Sequence, residues 1–167
     1  MGSGKSTAGR KIASLLHWSF SDIDRLVEER EGCSVSELFA LRGENYFREA
    51  ESEVLHSLST RSRTVVACGG GTPCSRENIE VMKSTGVVVY LKLTAESLVE
   101  RLQKSRTVRP LIHGAGSDEM KTRVEDMLGS RTCWYEMADL IVDGMNDSIE
   151  EITSGVAGLI RSKGAFL

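Results

Sequence analysis

The chain opens with MGSGKSTAGRK (residues 1–11), and this stretch decides the fold. Glycines at 2 and 4 let the backbone turn its N–H groups inward as an anion-binding nest. Lys5 is long enough to reach the β and γ phosphates of a nucleotide, and the hydroxyls of Ser6 and Thr7 stand at the head of a helix-forming run over 8–16. Gly-Ser alone is a common flexible start, but Lys-Ser-Thr ahead of an amphipathic helix reads as most of a phosphate-binding loop. The loop says nucleotide and leaves the reaction open. In an α/β sheet such a loop joins a buried strand to the helix it feeds. That strand, with the first glycine of G-x-x-x-x-G-K-[ST], would precede Met1. We therefore expect the sequence to be truncated, or to start at an internal methionine, with a longer native chain supplying an apolar strand. An intact mass of the native protein equal to that of residues 1–167 would refute this.

Outward from the loop, short apolar stretches at 19–21 (weakly), 64–68, 87–93 and 140–142 read as strands, and each is followed by a helical stretch. Helical periodicity is clearest over 44–58, where Tyr46, Phe47, Ala50, Val54, Leu55 and Leu58 form one stripe. A second stripe over 120–135 comprises Met120, Val124, Met127, Leu128 and Trp134. Strands alternating with helices imply parallel pairing through right-handed crossovers, hence a three-layer α/β/α domain. The two prolines, Pro73 and Pro110, both fall in stretches that read as loop.

At 167 residues the chain is about one domain's worth. Hydrophobic residues at 40% and charged ones at 27% exclude disordered and fibrous classes. A net charge of −3 leaves no footprint for nucleic acid or an anionic membrane, so an anionic ligand must be met by local basic residues. Cys33, Cys68, Cys74 and Cys133 fit neither a zinc site nor a disulfide framework and read as free thiols in a reducing compartment. The longest apolar run, 87–91, is too short to span a bilayer, and nothing resembles a signal peptide, so the expected location is cytoplasmic.

Four further stretches carry chemistry. In FSDIDRLVEER (20–30), Asp22 is either an N-cap or a carboxylate near a metal ion. Asp24, slightly further into the helix, either favours the helix dipole or meets an acceptor hydroxyl at the C-terminal edge of the sheet. In GENYFREAE (43–51), Arg48 can pair with Glu44 and Glu51 on a solvated face or bind an anion; both readings stand. VVACGGGTPC (65–74) carries Gly69, Gly70 and Gly71, more glycine than a turn requires, which suits close approach of backbone to a ligand. KSRTVRPLIHGAGS (104–117) is a solvated basic loop or a lid that brings Arg109 over the phosphates. Arg131 falls on the apolar stripe of its helix, where a guanidinium needs either a ligand carboxylate or phosphate or an internal ion pair.

Taken in order, G-S-G-K-S-T, D-I-D, G-E-x-x-F-R, G-G-G, R-P and a late arginine before an aromatic resemble shikimate kinase, a small P-loop kinase of the nucleoside monophosphate kinase-like fold. The resemblance covers most of the chain and is least distinctive after Asp143. It implies a single domain over 1–167 with a five-stranded parallel sheet whose first strand is missing here, a substrate-binding region at about 23–60 and a lid at about 104–117. The implied reaction is transfer of the γ-phosphoryl group of ATP to the 3-hydroxyl of shikimate by a monomeric enzyme of aromatic amino acid biosynthesis.

The implied roles follow by position. Gly2, Ser3, Gly4, Lys5, Ser6 and Thr7 hold ATP phosphates, Ser6 ligates Mg2+, and Asp22 supports the metal through water. Asp24 orients or deprotonates the acceptor hydroxyl. Phe47, Arg48, Gly69, Gly70, Gly71 and Arg131 bind shikimate, with Arg48 and Arg131 on its carboxylate. Arg109 closes from the lid, and Arg101 lies against adenine. Another small-metabolite kinase, such as a gluconate kinase, has less reason for two carboxylate-clamping arginines and three glycines. A GTPase would need N-K-x-D, which is absent, and its D-x-x-G match at 126–129 falls inside a predicted helix. A noncatalytic module that keeps the fold is the remaining alternative.

Overall fold

A computed structural model describes residues 2–104 and 117–162. In chain order its elements are α1 (Lys5–Leu16), β1 (Ser19–Asp22), α2 (Ile23–Glu31), α3 (Val35–Leu58), β2 (Thr64–Ala67), α4 (Arg76–Thr85), β3 (Val89–Lys92), α5 (Ala95–Lys104), α6 (Ser117–Tyr135), β4 (Leu140–Asp143) and α7 (Ile149–Ser162). All four expected strands form, each within two residues of its expected start. The weakest, β1, reaches Asp22 and so delivers that carboxylate to the strand's C-terminal end.

The strands pair in parallel, as alternation with helices dictates. β1 lies beside β2, from Ser19 opposite Thr64 to Asp22 opposite Ala67. β3 lies beside β4, from Val89 opposite Leu140 to Lys92 opposite Asp143. Among the described residues these pairs do not join, so the five strands implied by the resemblance are here four strands in two parallel pairs. Between them is a cavity of about 600 Å3 lined by β2, β3, Ile12 of α1, Met127 and Leu128 of α6, and Ile160 of α7. Ser3 and Lys5 line it too, so it has the place of a strand feeding the opening loop.

Helices cover the pairs in three apolar clusters. Ile23 and Val27 of α2 pack with Phe47, Ala50, Val54, Leu55 and Leu58 of α3. Leu98, Val99 and Leu102 of α5 meet Val124 of α6, and Ile12 of α1 meets Val142, Ile152, Val156 and Ile160. Gly9 lets α1 sit on the Phe20 ring of β1, where a Cβ would come within 2.8 Å of the ring edge.

Two sequence expectations change. The stripe over 44–58 is the second half of a longer helix: Ser34 and Glu37 form a reciprocal capping box at its start, and Gly43 breaks it at φ 81°. Arg131 is only half-buried, because α6 sinks Val124 fully while Met127 and Leu128 keep some exposure. Its helix therefore imposes no deeply buried guanidinium.

The cavity predicts a gain in stability. An apolar strand of about five residues joined ahead of Met1 should enter between β2 and β3, satisfy both inner edges and raise the thermal midpoint by roughly 5 °C or more. An unchanged midpoint in differential scanning calorimetry would show that the cavity does not take a strand.

Candidate active site

The opening loop has the conformation its glycines permit. Gly2 and Gly4 are left-handed, at φ 73° and 84°, and Gly4 caps α1 without any side-chain bond to its first turn. The first N–H groups of α1 are thus left for an anion, at the positive end of the helix. Lys5 is the first helical residue. Arg101 of α5 braces the loop from outside: its guanidinium donates to the Ser3 carbonyl at 3.1 Å and, more weakly, to the Gly144 carbonyl at 3.4 Å.

The two aspartates separate cleanly. Asp22 occupies the N-cap position of α2, yet its side chain makes no capping bond; its Oδ2 accepts from Ser6 Oγ at 2.6 Å instead. A residue whose only duty was to cap would have turned to the helix. The result is a hydroxyl and a carboxylate side by side at the loop, hard oxygen ligands of the kind a small divalent cation takes together with phosphate. Among the described residues no three His, Cys, Asp or Glu side chains cluster as a metal cage, so such an ion would complete its shell from phosphate and water. Asp24, in the first turn of α2, lies 3.7 Å from Lys5 Nζ with both side chains part-exposed.

Arg48 makes both ion pairs of its structural reading, but not on a solvated face. It pairs with Glu44 at 2.7 Å and with Glu51, and a Cβ on Gly71 would overlap its guanidinium. The two carboxylates are unequal: Glu44 is 46% exposed and Glu51 only 1%. Glu51 Oε1 also accepts from Thr72 Oγ1 at 2.8 Å. Burial pushes the Glu51 carboxyl above its ordinary pKa, with Arg48 opposing the shift. Burial likewise works against the charge on Arg48, but Glu51 and Glu44 outweigh it and hold its pKa up. A Cβ on Gly69 would collide with Glu51 and come within 3.0 Å of Asp24 Oδ1. The small residues at 69 and 71 thus make room for the side chains of Glu51 and Arg48, where the sequence pattern suggests a ligand.

Arg131 stands across the glycine turn. Its charge acts on Tyr135, one helical turn further along, and the Tyr135 hydroxyl donates to the Gly70 carbonyl at 2.6 Å. Arg131 and Arg48 are both close enough to Cys74 to bias its thiol, which burial nevertheless pushes up. Phe47 is placed differently from its expected site: it is 3% exposed, its ring centroid 4.9 Å from that of Phe39. It reaches the cleft only as the surface under Arg48, whose guanidinium lies 5.2 Å from its ring centroid. Arg109 and most of the stretch at 104–117 lie outside the described residues.

Sequence reasoning named Glu51 only as a solvated partner of Arg48, and missed its burial, Thr72 and Tyr135. Glu51 was detectable, since 47, 50, 51, 54, 55 and 58 complete the helical stripe, and a carboxylate on a buried stripe needs a reason. Thr72 carried no such signal.

The sequence matches the shikimate kinase family profile over residues 1–160. It is 37% identical over 143 residues to shikimate kinase of Parabacteroides distasonis, covering 86% of this chain and 83% of that protein. It is 37% identical over 163 residues to shikimate kinase of Geobacter metallireducens, covering 98% and 89%. The fold is similar to that of shikimate kinase from Bacteroides thetaiotaomicron, with a TM-score of 0.87, 34% identity and coverage of 96% and 94%. It also resembles shikimate kinase from Acinetobacter baumannii in complex with shikimate, with a TM-score of 0.84, 31% identity and coverage of 99% and 91%.

Lys5 is part-exposed. Lys5→Ala should weaken nucleoside triphosphate binding by about tenfold or more with little change in thermal midpoint. Titration calorimetry giving an unchanged Kd would remove Lys5 from the site.

Proposed function

The chain belongs to the shikimate kinase family, and on that premise we propose how its cleft performs ATP-dependent phosphorylation of shikimate. The observation that carries the assignment of roles is the 3.7 Å approach of Lys5 to Asp24, which sets a phosphate-binding cation beside a carboxylate suited to an acceptor hydroxyl. Gly2, Ser3, Gly4, Lys5, Ser6 and Thr7 hold the triphosphate, through backbone N–H groups and the α1 terminus. Arg101, braced on the loop, borders the nucleotide. Ser6 and Asp22 would hold Mg2+, Ser6 directly and Asp22 through water. Such an ion would supply positive charge to neutralise the phosphates.

Asp24 accepts the proton of the shikimate 3-hydroxyl. The freed oxygen forms the new bond to the γ-phosphorus, the bond from that phosphorus to the β-bridging oxygen breaks, and ADP leaves with the electron pair. Transfer of this kind asks mainly for alignment and neutralised charge. The shikimate carboxylate is clamped by Arg48 and Arg131. In this reading it displaces the exposed Glu44 from Arg48 while Glu51 stays and fixes the guanidinium. Phe47 supports Arg48 from below, and the Gly69, Gly70 and Gly71 backbone lies against the ring. Residues 23–60 are the proposed acceptor-binding region and 104–117, with Arg109, the proposed lid. Four free cysteines support a reducing, cytoplasmic setting. A monomer suffices, because every role falls on one chain.

The direct test is ADP release from Mg-ATP with and without shikimate; release independent of shikimate would overturn the acceptor. Asp24→Asn should lower kcat about a hundredfold or more while KM for shikimate stays within roughly tenfold. Unchanged turnover would take Asp24 out of the chemistry. Gly71→Ala, whose Cβ overlaps Arg48, should raise KM for shikimate by about tenfold and leave KM for ATP alone; equal shifts in both would refute a clamp role for Arg48.

A further inference from the structure

Tyr135 is the last residue of α6, and its hydroxyl joins two parts of the cleft that come from distant stretches of sequence. It donates to the Gly70 carbonyl at 2.6 Å and lies one helical turn beyond Arg131, near enough for the guanidinium charge to act on it. Its ring is held by Tyr90 of β3, with centroids 5.0 Å apart and planes at 39°. A phenol pinned at its ring, bonded through its oxygen to the glycine turn and set beside Arg131 on the same helix is a rigid strut.

Because a peptide unit is planar and trans, holding the Gly70 carbonyl toward α6 turns the Gly71 N–H away from α6. The orientation of one peptide in the glycine turn is therefore set from α6, and that helix also carries Arg131. Cys74 Sγ contributes a second, weaker contact to the same carbonyl at 3.4 Å, and the Cys74 N–H donates to the Gly71 carbonyl at 2.9 Å. The far side of the turn is set by Arg48 and Glu51, which leave no room for a Cβ at Gly71 or Gly69.

We propose that Tyr135 is a positioning residue for the acceptor, locking Arg131 and the Gly70–Gly71 peptide into one geometry so that both meet the same bound molecule. This rests on the function proposed above, which makes Arg131 and the glycine turn the acceptor site. Burial keeps the phenol protonated and able to donate, its pKa being raised by loss of solvent.

Tyr135→Phe retains the ring and removes only the hydroxyl. The expected result is a rise in KM for shikimate of about fivefold to tenfold, the worth of one buried hydrogen bond. KM for ATP and the thermal midpoint should stay unchanged, and kcat should fall no more than about threefold. The Arg131→Lys change should then cost less in the Tyr135→Phe background than alone, because the two act as a unit. Tyr90→Phe, which removes a hydroxyl from the same ring pair, serves as control and should stay within about twofold of wild type. Independently of turnover, the Gly71 amide cross-peak in 15N–1H spectra should move in Tyr135→Phe and hold still in Tyr90→Phe.

An unchanged KM for shikimate in an active Tyr135→Phe enzyme, equal changes for both substrates, or full additivity with Arg131→Lys would overturn the positioning role and leave the function standing. A wild-type protein without shikimate-dependent ADP release would overturn the function and this proposal together, while the Gly71 cross-peak would still report whether the strut exists.

Discussion

A single buried carboxylate organises the acceptor half of the molecule. Glu51 is 1% exposed, and isolated ionisation at such a place would be prohibitive. It is sustained by Arg48 three residues earlier and by the Thr72 hydroxyl 21 residues later. Those bonds fix α3 against the glycine turn, and the turn in turn must be glycine, because Gly69 packs on Glu51 and Gly71 on Arg48. The pair is oriented with its charged end outward: Glu51 sits at the bottom, and the guanidinium reaches the cleft. Removing Glu51 would leave Arg48 held by the exposed Glu44 alone, so the carboxylate at the back fixes where the guanidinium at the front points.

The phosphate half rests on backbone rather than on buried charge. Gly2 and Gly4 take left-handed angles, and the first amides of α1 are left without a side-chain cap. Asp22 and Asp24 bring the two halves together. They are separated by Ile23, which is 0% exposed and anchors the α2 start in the core, so that the flanking carboxylates emerge on either side of it. Asp22 turns to Ser6 and Asp24 to Lys5. A strand ending at Asp22 followed at once by a helix is what gives two adjacent carboxylates different neighbours.

Much of this was legible in the residues. The opening loop, four apolar strands and the stripe beginning near Glu44 needed only local periodicity and turn chemistry, and the structure has them with boundaries moved by one or two positions. The relation between strands was less legible: alternation predicted parallel pairing, and pairs form, but whether they join depends on what lies between them, which no local pattern records. At the site, Asp22 and Arg48 each had an ordinary structural explanation. For Asp22 the geometry sets that explanation aside, since the carboxylate does not cap; for Arg48 it keeps it, since both ion pairs form. Phe47 was assigned to the substrate by resemblance alone, while its own position on the apolar stripe pointed to the core, where it is 3% exposed. Tyr135 could not be found from sequence because its role depends on a carbonyl 65 residues away.

An acidic chain that handles two anions poses an electrostatic question, and the placement of its cations answers it. Salt screens charge over about 8 Å, so the net charge of −3 matters less than which groups lie within one such length of the ligand. Lys5 and Arg101 are tied to the loop, while Arg48 and Arg131 flank the glycine turn. Each has a neighbour that is weak, exposed or uncharged: Asp24 at 3.7 Å for Lys5, backbone carbonyls for Arg101, Glu44 for Arg48 and the nearby Tyr135 for Arg131. A ligand anion can therefore replace water and a loose partner without stripping a buried charge of its only counterion, which would cost several kcal/mol. The one strong pair, Arg48 with Glu51, lies on the protein side of the guanidinium and orients it for the ligand.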